Sequence, residues 1–247
     1  MTKEKVIEVK DLVKKFGAFV ANDHLTFDVY KGEIFGFLGA NGAGKTTAMR
    51  ILCGLSPLTS GKVIVAGIDA AKKPEEIKKR IGYMSQRFSL YEDLTVTENI
   101  ELYGGIYGMR MKDIKFRTEE LLQILDFEKY RDTLIRSLPL GLKQKLAFAV
   151  AVFHRPEIVF LDEPTSGVDP ITRRQFWEMI YETASGGITV FVTTHYMDEA
   201  EYCDRVTIMN EGRIVAMDTP ASLREEYGTS SVEELFVKIV RPKTEAL

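Results

Sequence analysis

The chain contains two kinds of strand-like hydrophobic pattern. Residues 6–12 (VIEVKDL) and 25–32 (LTFDVYKG) alternate apolar and polar positions, which predicts half-buried strands at an antiparallel edge. Residues 34–38 (IFGFL) form a continuous apolar run before a glycine-rich loop, which is typical of a central parallel strand. Two similar runs follow at 157–162 (EIVFLD) and 188–194 (ITVFVTT). The intervening stretches are long enough for crossover helices, so we expect an α/β fold with a mixed, largely parallel sheet.

The middle of the chain changes to helical spacing. Residues 97–109, 117–127 and 143–154 place apolar side chains three and four positions apart, which predicts helices. We therefore expect one domain over 1–247, with a core made of 1–86 and 156–247 and a helical subdomain at 87–155.

Two further elements are expected after the last buried run. Residues 205–218 (RVTIMNEGRIVAMD) alternate on both sides of a Glu-Gly pair, which predicts a hairpin. The charged tail from residue 220 is expected to be helical.

Composition narrows the class of protein. With 45% hydrophobic and 28% charged residues, the 247-residue chain has the makeup of an ordinary globular protein. The formal charge of −3 argues against a nucleic-acid partner. Cys53 and Cys203 lie far apart in apolar contexts, which favours buried free thiols in a reducing compartment. The N-terminus lacks a signal-peptide pattern and no apolar run approaches the ~20 residues of a membrane span, so a cytoplasmic location is expected.

The clearest chemical motif is a phosphate-binding loop. GANGAGKT, from Gly39 to Thr46, matches GxxxxGK[ST] between a buried strand and an apolar-periodic helix. Glycines let backbone N–H groups wrap an anion at the helix N-terminus, while Lys45 can reach the β- and γ-phosphates and Thr46 can ligate Mg²⁺. The expected cofactors are therefore ATP and Mg²⁺. The residues expected to bind the nucleotide in this segment are Gly39, Asn41, Gly42, Ala43, Gly44, Lys45, Thr46 and Thr47.

A second motif supplies two carboxylates. Asp162 and Glu163 end the buried run 158–163 (IVFLDE). We expect Asp162 to hold Mg²⁺, directly or through water, and Glu163 to act as the base or the orienter for an attacking water. An isolated Asp-Glu pair is more often a solvated turn, but here it follows a buried strand in a chain with a phosphate loop.

Together with IGYMSQ, FLDEPTSGVDP and TTHYMDEAEYCDRV, these motifs resemble the nucleotide-binding subunit of the ATP-binding cassette (ABC) transporter family, over nearly the whole chain. The resemblance implies that Gln86 touches Mg²⁺ and the attacking water, and that His195 contacts the γ-phosphate. It implies that Asp169 lies in a loop crossing to a partner subunit, and that Phe16 stacks on adenine, although Phe16 could equally be a core residue. His24 and His154 match no motif and are expected to be structural.

One segment departs from the family pattern. The family signature, commonly Leu-Ser-Gly-Gly, reads here as Leu138, Pro139, Leu140 and Gly141. In the family this segment caps the ATP held by the opposite subunit, so Pro139 removes a hydroxyl donor, while the Gly141 N–H remains available to an anion. Proline also suits an early helical position, and we expect a weakened cap. The alternative is that the segment has gone out of use because a partner ATPase carries the active site.

The resemblance also implies partners. They are a second ABC ATPase subunit, identical or related, and a separately encoded membrane permease, which places the chain on the cytoplasmic face of the membrane. The sequences of residues 89–100 (SLYEDLTVTENI) and 212–223 (GRIVAMDTPASL) look most like those of ABC exporters. The permease is expected to dock near residues 86–109, with Phe88, Leu90 and Tyr91 as the contact residues. Two other readings are a soluble ABC ATPase acting on ribosomes or DNA, and a P-loop kinase.

Overall fold

The computed structural model describes residues 3–86 and 90–240, and the structural account is confined to them. The strands are β1 (Lys5–Phe16), β2 (Phe19–Tyr30), β3 (Ile34–Gly39), β4 (Ser60–Val65), β5 (Ile68–Asp69), β6 (Ile81–Met84), β7 (Ile158–Asp162), β8 (Thr189–Thr194), β9 (Arg205–Asn210) and β10 (Arg213–Asp218). The α-helices are α1 (Lys45–Leu52), α2 (Pro74–Lys78), α3 (Val96–Ile106), α4 (Met111–Ile124), α5 (Leu140–Val152), α6 (Pro170–Ser185), α7 (Pro220–Tyr227) and α8 (Val232–Val240). Short 3-10 helices occupy Glu128–Tyr130, Ile135–Ser137 and Met197–Tyr202.

The first sheet is antiparallel, with strand order β2-β1-β4-β5. Its long hairpin β1–β2 confirms the antiparallel edge expected from the alternating pattern, because Val9 pairs with Phe27 and both side chains are buried. Strands β4 and β5, which the sequence pattern did not predict, complete the sheet.

The second sheet has the order β10-β9-β3-β8-β7-β6. Strand β3 lies parallel to both β8 and β9, and every residue of β3 is buried, as its continuous apolar run predicts. Strands β9 and β10 form the expected antiparallel hairpin. The mixed, largely parallel sheet confirms the α/β fold.

The order of the parallel strands places the site. Strands β3, β8, β7 and β6 are neighbours and run in the same direction, so the segments that leave their carboxyl ends meet at one edge. These segments begin after Gly39, Thr194, Asp162 and Met84.

One core lies between the two sheets. Phe27 from the antiparallel sheet packs on Phe37, with ring centroids 5.3 Å apart, and Phe37 packs on Phe191 at 5.2 Å. Helix α1 contributes its buried Met49 to the same core. This packing fixes the start of α1, and hence the phosphate loop, against the sheet.

Between β6 and β7 the described residues form helices α3, α4 and α5 rather than strands. Helix α3 begins with a capping box, since Glu98 N donates to Thr95 Oγ1 at 3.2 Å and Thr95 N donates to Glu98 Oε2 at 2.8 Å. Helix α5 packs Leu146 against the face of the parallel sheet that carries Val159. The division of the chain into a core and a helical subdomain stays a prediction.

The structure also bears on the expected docking contacts, the two cysteines and the search for a membrane span. Leu90 is only 5% exposed and belongs to the core, so its expected role as a docking contact is wrong. Tyr91 is 52% exposed, and Phe88 lies outside the described residues. Cys53 and Cys203 are buried free cysteines, as expected. In the described part of the chain, no helix has both the length and the apolar content needed to cross a membrane.

Candidate active site

The phosphate loop runs from the end of β3 to the start of α1. Gly42 and Gly44 have φ angles of 82° and 101°, values that L side chains rarely adopt. A Cβ on Gly44 would collide with the carbonyl oxygen of Ala21, so glycine is required there. Gly44 precedes α1 without a side-chain cap, and Asn22 Nδ2 donates to Gly44 O at 3.0 Å. The helix N-terminus is thus left for an external anion.

A cavity of about 350 Å³ opens beside this loop. That volume falls in the range of ligand pockets, about 300–1,000 Å³. The cavity brings together eight residues that the sequence singled out, and it adds two that sequence reasoning missed, Phe19 and Ala21. The eight are Asn41, Gly42, Gly44, Lys45, Thr46, Thr47, Gln86 and Glu163.

Lys45 lies folded across the loop. Its Nζ donates to Gly39 O at 2.7 Å and to Ala40 O at 3.1 Å, and lies 3.5 Å from Glu163 Oε1. Burial lowers the pKa of Lys45, while the negative charge of Glu163 acts in the opposite direction. Because burial disfavours the charged ammonium of Lys45, binding a further anionic group would stabilise it.

Asp162 is buried at the end of β7 and is held by two hydroxyls. Thr193 Oγ1 donates to Asp162 Oδ1 at 2.7 Å, and Thr46 Oγ1 donates to the same oxygen at 3.1 Å. Burial raises the pKa of Asp162, and these two hydrogen bonds oppose the rise. Hydroxyl and carboxylate oxygens are the ligands that Mg²⁺ takes in proteins, so the donor set fits this ion.

Glu163 has an unusual backbone. Its φ of 48° lies in the left-handed region, which costs about 1–3 kcal/mol for a residue with a side chain. Its N–H donates to Thr193 O and to Thr193 Oγ1, both at 3.1 Å. These bonds hold the strained turn, which orients the carboxylate.

Three of the expected site residues converge on the Glu163 carboxylate. Gln86 Nε2 donates to Glu163 Oε2 at 2.9 Å, His195 Nδ1 lies 3.0 Å from the same oxygen, and Lys45 contacts Oε1. We call Lys45, Gln86, Asp162, Glu163 and His195 the phosphate-loop group. The structure therefore assembles around one carboxylate residues that are far apart in the sequence.

Phe16, the residue expected to stack on adenine, is not among the described residues that line the cavity. Phe16 ends β1 with 56% of its surface exposed, and Lys14 Nζ lies 4.7 Å from the centre of its ring. The aromatic side chain that lines the cavity is Phe19, which pairs with Phe16 across the β1–β2 turn. The signal for Phe19 was available in the sequence, because two aromatics flank Gly17 and Ala18.

Gly141 and Asp169 form a separate cluster. A Cβ on Gly141 would lie 2.9 Å from Thr172 Cγ2, and Asp169 caps α6 by accepting from Thr172 N at 3.0 Å. Thr172 Oγ1 also donates to Asp169 Oδ2 at 2.6 Å, which lowers the pKa of Asp169. We call Pro139, Leu140, Gly141, Asp169 and Thr172 the signature group. Among the described residues that line the phosphate-loop cavity, neither Gly141 nor Asp169 appears.

Pro139 stands one position earlier than expected. Its φ of −57° and ψ of 149° are not helical, so it is the N-cap of α5 and Leu140 is the first helical residue. The expectation of an early helical position was therefore wrong. Proline offers no side-chain oxygen to the first turn, which leaves the N–H groups there without a side-chain cap.

Comparison with known proteins agrees with these features. A family model described as "ABC transporter" matches residues 22–166. The chain is 44% identical over 242 residues to the "Probable multidrug ABC transporter ATP-binding protein YbhF" of Escherichia coli (strain K12), covering 96% of this chain and 42% of that protein. It therefore spans less than half the length of this relative.

Two further matches cover most of both chains. The "Daunorubicin resistance ATP-binding protein DrrA2" of Streptomyces coeruleorubidus is 36% identical, with 92% of this chain and 71% of the relative covered. Among solved structures, "Dimeric structure of a post-hydrolysis state of the ATP-binding cassette MJ0796 bound to ADP and Pi" superposes with a TM-score of 0.78 at 26% identity, over 86% of this chain and 98% of that one.

Proposed function

Because this chain belongs to the ABC transporter family, we propose that it is an ATP-binding and ATP-hydrolysing subunit in which Glu163 activates the attacking water. The observation that carries the proposal is the convergence of Lys45, Gln86 and His195 on the Glu163 carboxylate beside the phosphate loop. A carboxylate with donors on several sides is held in one orientation, which a general base needs.

The other residues take roles that follow from their chemistry. Backbone N–H groups of the loop cradle the phosphates, and Lys45 turns from its loop carbonyls to the β- and γ-phosphates. Thr46, Asp162 and Gln86 would hold Mg²⁺ through their side-chain oxygens, and the ion would neutralise charge on the phosphates. Glu163 takes a proton from water, His195 contacts the γ-phosphate, and Phe16 stacks on adenine. The loop residues in this role are Gly39, Asn41, Gly42, Ala43, Gly44, Lys45, Thr46 and Thr47.

The signature group serves a second nucleotide. Gly141 and Asp169 of one chain act on the ATP held by a second cassette, identical or related, so that two nucleotides lie between two chains. Two observations support this arrangement. The α5 N-terminus is exposed and lacks a side-chain cap, and the similar structure bound to ADP and phosphate is described as dimeric. Closure around ATP is then a two-state change driven by the ligand.

The subunit powers export through a membrane permease on a separate polypeptide, from the cytoplasmic face of the membrane. The names of two relatives, which refer to multidrug transport and daunorubicin resistance, support this direction. The same names give no support to a role on ribosomes or DNA. Exposed apolar side chains suited to a permease lie at Tyr91 and on α3, at Leu102 and Ile106.

The test combines ATP binding, measured by equilibrium titration, with phosphate release from MgATP by the purified chain. Lys45→Met should abolish nucleotide binding, because it removes the ammonium that answers the phosphate charge. Lys62→Met, at an exposed position on β4, is the matched control and should behave as the unmodified chain. Unchanged ATP affinity in Lys45→Met would contradict the proposal.

A further inference from the structure

Arg173 lies in the first turn of α6, four residues after the cap Asp169. Its backbone N–H donates to Asp169 O at 2.9 Å, so the two residues belong to one turn. Its side chain is 21% exposed and reaches away from the signature group toward the segment after β8. The proposed function gives this arginine no task.

The guanidinium of Arg173 meets three side chains of that segment. Its central carbon lies 4.0 Å from the centre of the Tyr196 ring, a stacking arrangement that suits a planar cation. Its Nε lies 3.7 Å from Glu199 Oε1, and its Nη1 lies 3.4 Å from Asp198 Oδ2. The Arg173 side chain therefore contacts three of the four residues in the segment 196–199.

Glu199 anchors this contact. The side chain is fully buried, and Thr165 Oγ1 donates to Glu199 Oε1 at 2.6 Å. A buried carboxylate is unfavourable unless a cation lies near it, and Arg173 supplies that cation at ion-pair distance, without a hydrogen bond from its Nε. Thr165 belongs to the turn between Glu163 and Asp169, so this turn, α6 and the segment after β8 share one buried contact.

The contacts continue from Tyr196 to the site. The rings of Tyr196 and His195 have centroids 4.2 Å apart, and Tyr196 N donates to Thr194 Oγ1 at 3.0 Å. His195 Nδ1 in turn lies 3.0 Å from Glu163 Oε2. An unbroken series of contacts therefore joins Arg173, Tyr196, His195 and Glu163.

We propose that Arg173 is a positioning residue that holds His195 against Glu163 through Tyr196 and Glu199, and that it links this setting to the α6 turn capped by Asp169. The inference rests on the proposed function, because it assumes that His195 and Glu163 act in hydrolysis. A second chain that moves the α6 turn then changes the distance between His195 and Glu163. Contact between subunits is thereby coupled to the readiness of the site.

The test combines hydrolysis with a signal from His195 itself. Arg173→Gln should lower kcat by about three- to thirtyfold with little change in KM for ATP, the range expected for loss of a coupling contact. The chain has three histidines, so imidazole resonances report on His195 separately from His24 and His154. We expect the His195 resonances alone to move.

Matched variants separate positioning from general damage. Arg174→Gln removes the neighbouring exposed arginine, which pairs with Glu178, and should leave kcat and the His195 resonances unchanged. Tyr196→Phe keeps the ring and should retain activity, whereas Tyr196→Leu should lose it. In a His195→Ala background, Arg173→Gln should cause no further loss, because the arginine acts through that histidine.

Two kinds of failure can be told apart. If Glu163→Gln and His195→Ala leave hydrolysis unchanged, the proposed function fails. If both reduce hydrolysis while Arg173→Gln alters neither kcat nor the His195 resonances, or adds its full loss to His195→Ala, this inference alone is overturned. Should Arg173→Gln not fold, Tyr196→Leu decides the matter through the same two readouts.

Discussion

The phosphate-loop group and the signature group differ in how far one chain completes them. The residues of the first group lie at the carboxyl ends of four neighbouring parallel strands, and Lys45, Gln86 and His195 all contact the Glu163 carboxylate. The second lies at the starts of α5 and α6, where Leu140 and Asp169 are exposed. One chain therefore completes the first group by itself and leaves the second group at its surface, which agrees with the proposal that the second group acts on a nucleotide held by another chain.

The largest expected effect belongs to the first group. Glu163→Gln removes the proposed base while keeping a side chain of the same size, so turnover should fall by about 10²–10⁴-fold. ATP binding, measured by equilibrium titration, should remain. Glu157→Gln, at an exposed position one residue before β7, is the control and should hydrolyse ATP normally. Normal turnover by Glu163→Gln would contradict the role of Glu163 as the base, and with it the assignment of hydrolysis to the phosphate-loop group.

The second group can be strengthened. Pro139→Ser restores a hydroxyl at the α5 N-cap, and a hydrogen bond to a charged group contributes about 1.5–3 kcal/mol. We expect ATP-dependent dimerisation to tighten by about tenfold or more, as seen by sedimentation at a series of protein concentrations. ATP affinity of the single chain should not change. Weaker or unaltered dimerisation would count against the weakened cap.

The second group can also be damaged. A Cβ on Gly141 would press on Thr172, and overpacking of this kind costs about 1–3 kcal/mol. Gly141→Ala should therefore weaken dimerisation without lowering single-chain ATP affinity. Gly105→Ala, in α3 where a Cβ meets nothing within 4 Å, is the matched control. A loss of single-chain ATP affinity in Gly141→Ala would show that the two groups are not separate.

The smallest expected effect lies outside both groups, at His154. This ring stacks on Tyr107 with centroids 3.7 Å apart, and burial lowers its pKa to about 4. Between pH 6.5 and about 4 the unfolded chain binds a proton that the folded chain refuses, so the free energy of unfolding falls as pH falls. After allowance for partial solvent exposure, the loss is about 1–2 kcal/mol.

Urea unfolding at pH 7 and at pH 4.5 measures this effect. His154→Gln should lose less stability on acidification than the unmodified chain does. If the free energy of unfolding of His154→Gln falls with pH as steeply as that of the unmodified chain, His154 is not the source of the acid dependence. The source would then have to lie elsewhere, for example in the phosphate-loop group or the signature group.

The sequence predicted the elements of the phosphate-loop group well, because a glycine loop and a buried strand ending in carboxylates have local signatures. The roles of Gln86 and His195 came only from the resemblance, and their contacts with Glu163 were not predicted, because these contacts depend on strand order. The side on which Leu90 packs and the position of Phe19 at the cavity depend on tertiary packing, which spacing does not disclose. The contacts of Arg173 were missed for the same reason.

The most direct measurement follows sedimentation and ATP hydrolysis together. Glu163→Gln should sediment as two chains in MgATP and as one chain in MgADP, because in the proposed arrangement ATP shared between two cassettes holds them together. Under the same conditions, the rate per chain of the unmodified protein should rise with protein concentration. A maximal rate of hydrolysis by a chain that stays single at every concentration would contradict this arrangement.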